Sequence, residues 1–284
     1  MNYSQKLQEY YETDLKISDT KEVELRDKRD TNVSRAVTYL RANDVLVDGT
    51  FSQGSYILRT MIHKEPYDLD IGIVISPKEQ RSPDEIAYLV KAGIEDDARY
   101  SNEAEIKPKC VRVPYENLCI DIPLFKGTKD MRVGAVWNPS THVELTNHYK
   151  QELSVKEHSR RIIQLIKRAS NQQKGPSGVV ITTLVLKHYQ ERGTLHETLQ
   201  EVLSGVEQDV APVRNPVDSN EVFCEDITAF REFIRDSNID FSLQPKAVVA
   251  NLNKFFNTEF FKLDHVVDQS SVPAINKEGP NTYA

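Results

Sequence analysis

The chain has 284 residues, 39% of them hydrophobic and 28% charged, with a formal net charge of −7. That length buries a sizeable core, in one large domain or in two that share a cleft, and the balance is that of a soluble globular protein. The acidic excess argues against a general nucleic-acid coat but leaves room for a local basic groove that grips phosphates. Cys110, Cys119 and Cys224 show no metal-like spacing and read as packing thiols of a reduced, cytoplasmic compartment. The polar start MNYSQKLQEYYETDLK lacks the apolar core of a secretory signal or a membrane span.

No glycine or proline precedes Gly49, and the sparse apolar residues before it predict one or two long, mostly solvated helices, with a break at Thr31 or Asn32. VLVDGTF is β-prone, and Gly54-Ser55 interrupts it ahead of a short helix expected from Tyr56 with Ser55 as N-cap. A strand is expected over 68–76, then a helix opened by Ser82-Pro83. Two strands follow, over 105–115 and 118–125, with a turn at Glu116-Asn117, and then β-like or loop material around Trp137. From Ser154 the pattern turns helical, breaks at QKGPSG, resumes at GVVITTLVLKHYQER and continues through about three more helices to Phe261.

The expected fold class is α/β (α+β): a mixed, twisted sheet backed by helices, plus a C-terminal helical domain. Residues 1–150 are assigned to an N-terminal helix and catalytic core, 151–265 to the helical domain that closes a cleft, and 266–284 to a flexible tail.

The stretch DLDIGIVI carries the first chemistry. Side chains two apart on a strand share a face, so Asp68, Asp70 and Gly72 point one way while Leu69, Ile71 and Ile73 point into a core. LCIDIPLF repeats the arrangement, with Asp121 opposite Leu118, Ile120 and Ile122. If the two strands are neighbours, three carboxylates converge, and their repulsion is relieved by a hard divalent cation. The bland alternative is an edge strand whose Asp-x-Asp faces water. Upstream, Gly54 lets the backbone approach a ligand and Ser55 supplies a hydroxyl and an N–H at a helix start, which suits a phosphate; an ordinary N-cap turn would look the same.

Gly-Ser, twelve residues, Asp-Leu-Asp and a distant Asp in an apolar strand resemble the DNA polymerase beta-type nucleotidyltransferases. Within them, QGSY with DLDIGIVI, then IDIPLF, is most similar to the bacterial cyclic GMP-AMP synthase/DncV-like nucleotidyltransferases (CD-NTases) of CBASS antiphage defence. The resemblance implies catalytic, metal-binding Asp68, Asp70 and Asp121 with Mg2+ or Mn2+, two ions in all, and a triphosphate held at Gln53, Gly54 and Ser55. IIQLIKRASNQQKGPSG resembles the family's helix and loop, implying Lys167 and Ser177 as triphosphate contacts; where the family often has an aromatic two residues after that lysine, this chain has Ala169. PVRNPVDSNEVF resembles a late segment that precedes the final helices.

The implied activity is metal-dependent joining of ribonucleoside triphosphates (ATP, with GTP, CTP or UTP) into a cyclic di- or trinucleotide second messenger, releasing pyrophosphate. Implied partners are a ubiquitin-transfer-like or HORMA-type regulator and a cyclic-nucleotide effector from the same operon. A transferase of the same fold acting on RNA, protein or a small molecule, and a non-catalytic nucleotide-binding module, stay open as alternatives. Lys107, Lys109 and Arg112 are read on one strand face, Trp137 and Tyr149 as aromatics able to stack on a base or to fill the core. None of the seven histidines sits in a metal or nucleophile motif, and no P-loop motif is present.

Overall fold

Alternating side chains build the sheet. In β2 (Tyr67–Ile75), Leu69, Ile71, Ile73 and Ile75 are buried on one side while Asp68 is exposed and Asp70 half-buried on the other. β5 (Leu118–Lys126) runs parallel to β2, with Leu118, Ile120, Ile122 and Leu124 on the same buried side. β1 (Val47–Gln53) pairs antiparallel with β2 on its outer edge. β4 (Cys110–Pro114) pairs antiparallel with β5, and β3 (Glu105–Ile106) with β4, giving the order β1-β2-β5-β4-β3. A hairpin of β6 (Asp130–Val133) and β7 (Val136–Pro139) extends from the end of β5. The computed structural model describes residues 1–96, 103–172 and 175–263.

The buried side of the sheet is covered by α2 (Asp19–Ala42) and α4 (Pro83–Glu95), whose Leu25, Val33, Leu40, Ile86, Val90 and Ile94 complete one hydrophobic core. α4 starts with a full capping box: the Ser82 hydroxyl accepts the Glu85 N–H at 3.2 Å, and the Glu85 carboxylate accepts the Ser82 N–H at 2.8 Å. No break occurs at Thr31 or Asn32. Asn32 is wholly buried, and its amide donates to the Lys28 carbonyl and the Tyr115 hydroxyl, so it is bonded inside the helix rather than competing with it. The chain breaks instead at Lys16–Ser18, where Ser18 caps α2.

A second core forms around α6 (Ser159–Gln172) and α7 (Gly178–His188), with α5 (His142–Val155), α8 (Leu195–Gln208), α9 (Thr228–Ser237) and α10 (Pro245–Phe256) packed about them. α1 (Tyr3–Tyr10) belongs here as well. Its Leu7 and Tyr10 are fully buried, and the Tyr10 ring lies 4.9–5.2 Å from those of Phe256, Phe260 and Phe261. The packing therefore seats residues 3–15 and α5 with the second half of the chain, whereas a division at residue 150 assigned them to the first.

Three local expectations are corrected. The segment 105–115 is two short strands, because Pro108 cannot donate to a ladder and a turn forms in which the Lys107 N–H bonds the Cys110 carbonyl. Residues 142–155 are already helical. Residues 213–224 form a small antiparallel hairpin, β8 (Val213–Asn215) with β9 (Asp218–Cys224), where no strand is expected from the sequence. The segment 266–284 lies outside the described residues. No helix among the described residues is long and apolar enough to cross a membrane.

Candidate active site

Register assembles the acidic face. Asp70 pairs with Asp121 across the parallel β2–β5 ladder, Gln53 of β1 pairs with Asp70, and Arg112 of β4 pairs with Asp121. Gln53, Asp70, Asp121 and Arg112 thus form one row across four strands, and Asp68 stands two residues from Asp70 on the same face. Burial, then the carboxylates of Asp121 and Asp68, push the Asp70 carboxyl up to about 6. Burial and Asp121 also raise Asp68.

Arg112 relieves part of this repulsion. Its guanidinium grips Asp121 with two parallel bonds, Nε to Oδ1 at 2.7 Å and Nη2 to Oδ2 at 2.8 Å. Lys107 and Lys109 do not share its face: they lie in the turn between β3 and β4. Among the described residues no three His, Cys, Asp or Glu side chains gather closely enough to form a ready metal-binding group. The donor set nevertheless suits a hard divalent cation, being all carboxylate oxygen on adjacent strands, with Asp70 destabilised as an anion by burial and by the carboxylates of Asp121 and Asp68. Both Asp121 oxygens are engaged by Arg112.

The Gly-Ser turn lies directly against the carboxylates. A one-turn helix, α3 (Gly54–Ile57), starts at Gly54 itself, with Gln53 in the cap position and no side-chain cap. Ser55 is therefore inside the helix, not its N-cap. Gly54 has φ +75°, and a Cβ there would stand 2.1 Å from Asp70 Oδ2, so neither the conformation nor the contact admits a side chain. The loop beyond α3 reaches the helical half. Lys167 of α6 donates through Nζ to the Thr60 carbonyl at 3.1 Å and to its hydroxyl at 3.2 Å. Burial lowers Lys167 to about 8.

Between the two halves is a cleft of about 420 Å³. Gln53, Gly54, Ser55, Asp70 and Lys167 all line it. Ser177, in the cap position of α7, makes no side-chain capping bond and lies just outside the lining, which the next residue, Gly178, joins. Asp68 and Asp121 lie outside the lining, on the same sheet face as Asp70. Tyr149 borders the cleft and is anchored by a 2.6 Å bond to the Thr183 hydroxyl, while Trp137 packs against the sheet core away from it. Arg112 is read from the sequence only as part of a basic strand face, and Thr60, His142 and Glu221 are not read as site residues. The last two come from the start of α5 and from the β9 strand, neither of which periodicity had located.

Residues 49–125 match the model of the cyclic GMP-AMP synthase DncV-like nucleotidyltransferase domain. The fold as a whole is shared with solved structures. Vibrio cholerae DncV in its apo form aligns with TM-score 0.72 at 13% identity over 92% of this chain and 96% of that one. Its 3′-deoxy ATP-bound form gives 0.72 at 14% over the same shares. E. coli MS115-1 CdnC, in a complex with HORMA-deltaN, gives 0.71 at 14% over 91% of this chain and 98% of that one. No curated protein matches the chain.

Proposed function

We propose that the protein is a cyclic-oligonucleotide synthase that joins ribonucleoside triphosphates and releases pyrophosphate. The observation that carries this is the cleft in which Gln53, Gly54, Ser55 and Asp70 from the sheet half face Lys167 from the helical half. The DncV-like domain match supports the same reading.

Asp68, Asp70 and Asp121 would hold Mg2+ or Mn2+, two ions in all, which supplies charge neutralisation for the triphosphate and for the attacking and leaving oxygens. Gly54 and Ser55 present backbone N–H groups and a hydroxyl to the phosphates, with Lys167 as their cationic partner and Ser177 at the start of α7 beside it. The sheet half and the helical half act as the two jaws of the cleft, with α1 and α5 packed into the helical one. In each transfer a ribose hydroxyl oxygen of the acceptor bonds to the α-phosphorus of the donor, and the bond to the β-phosphate bridging oxygen breaks. The hydroxyl proton passes to a carboxylate of the acidic face. A second transfer within the linear product closes the ring.

The reading extends to a soluble, cytoplasmic enzyme of antiphage signalling. Its regulator would be a HORMA-type or ubiquitin-transfer-like protein; the CdnC complex with HORMA-deltaN supports the former. A cyclic-nucleotide effector would act downstream. Incubation with the four ribonucleotides and Mg2+ or Mn2+ is expected to yield a phosphatase-resistant product. Asp68→Ala with Asp70→Ala should abolish it without changing the circular dichroism spectrum; product from that double variant would overturn the assignment.

A further inference from the structure

Arg112 occupies Asp121 completely. The two residues stand opposite each other in the β4–β5 ladder, so both side chains lie on the acidic face. The guanidinium bonds, at 2.7 and 2.8 Å, each take a different carboxylate oxygen. Burial and mutual repulsion raise Asp70 and Asp68, and the charge of Arg112 acts on both in the opposite direction. Arg112 therefore does at this face what a divalent cation would do, offsetting the repulsion of three carboxylates. The two cannot hold the same Asp121 oxygens at once.

Arg112 also has a second seat. On its other side it pairs with Glu105 of β3, which sets a further carboxylate on the same face, one strand farther out. Glu105 is exposed and bonded to Lys107 in the turn that follows. That bond, then the charges of Lys107 and Arg112, hold its carboxyl below the usual range. A surface ion pair of this kind is weak and exchanges partners readily. The Arg112 and Asp121 side chains are 37% and 22% exposed, so the guanidinium turns outward without disturbing either core.

Resting on the reading of the acidic face as a divalent-metal site, we infer that Arg112 is a positioning residue that withholds Asp121 from the cation and releases it by turning to Glu105. Loading is then a competition, and the apparent affinity for the cation falls by the fraction of molecules in which Asp121 is free. The grip depends on the planar fork of the guanidinium as well as on its charge, and lysine supplies only the charge.

Mn2+ alone would be titrated into the full chain without nucleotide, the free ion being followed by electron paramagnetic resonance. Salt at about 0.5 M keeps the general field of surface charges from dominating the result. Arg112→Gln should bind Mn2+ about tenfold more tightly than wild type, as expected if Asp121 is free in roughly one wild-type molecule in ten. Arg112→Lys spans only one oxygen and should gain about threefold with no change of charge. Adding Asp121→Asn to Arg112→Gln should cancel the gain, because Arg112 acts through that carboxylate. Glu105→Gln removes the second seat and should weaken Mn2+ about threefold. In thermal melts Arg112→Gln should fall below wild type in EDTA and rise more than wild type when Mn2+ is added, a recovery that a misfolded variant would not show. Unchanged or weaker binding in Arg112→Gln, wild-type binding in Arg112→Lys or Glu105→Gln, or a gain that survives Asp121→Asn overturns the inference and leaves the face a metal site. Mn2+ binding to none of these proteins overturns it together with the reading on which it rests.

Discussion

Gly54 and Lys167 face the same space from opposite halves of the molecule, and each is under a constraint that a surface residue would not feel. Gly54 must be glycine because the backbone runs against Asp70. Lys167 is a cation that burial has made uncomfortable. Its folded value of about 8 is below the ordinary 10.5, so the folded chain holds fewer protons than the unfolded chain between those two pH values. Stability contributed at this site therefore rises as pH climbs from 8 to 10.5, and below 8 the desolvation cost is fully present. Lys167→Met is expected to melt higher than wild type at pH 7, by roughly 1–3 kcal/mol after discounting for the part of the side chain that water still reaches. That advantage should vanish by pH 10.5 in thermal melts. The same variant should lose at least about tenfold in triphosphate affinity, because the ammonium that is costly in the empty cleft is the one that meets the phosphates. Wild-type binding should itself weaken as pH rises through 8.

At the scale of elements, local chemistry and tertiary position separate cleanly. The α4 helix carries its own start signal in Ser82, Pro83 and Glu85, and it covers the sheet face opposite the carboxylates. Ser82→Ala should cost about 1 kcal/mol in chemical denaturation and leave nucleotide binding at the wild-type value. Legibility in the sequence followed this division. β2, β5 and α4 could be read because strict alternation and a capping box are local facts. α5 and the β8–β9 hairpin could not: α5 is weakly amphipathic with no side-chain cap, and the β8–β9 strands are short and register-shifted, held by packing on the helices. The N-cap at Ser55 failed for a related reason. The helix starts at Gly54, two residues earlier than propensity would place it, where the backbone runs close against Asp70.

For the molecule as a whole, the unexpected link is α1. It leaves the sheet half by sequence and packs into the helical half, so the two jaws of the cleft are tied at both the α5 connection and the chain's first residues. Leu7→Ala should destabilise the protein by about 2–5 kcal/mol, because Leu7 is fully buried in the helical core. Hydrogen exchange should report the loss in α6, α8 and α10 before it reaches β2 and β5. Equal exposure of both halves would argue instead that the protein unfolds as one unit.

The sequence by itself determined which side of β2 and β5 is apolar, since strand alternation needs only the chain, and with it the placing of Asp68, Asp70 and Asp121 opposite a core. It determined the Gly-Ser turn and the buried helices of the second half, because composition and period are local properties. Tertiary structure alone decided that Asp70 and Asp121 share a register, that Arg112 rather than solvent meets Asp121, and that Lys167 crosses to Thr60. It also brought Glu221 to the far end of the cleft. Each of these depends on residues distant in sequence, and no single-strand period carries that information.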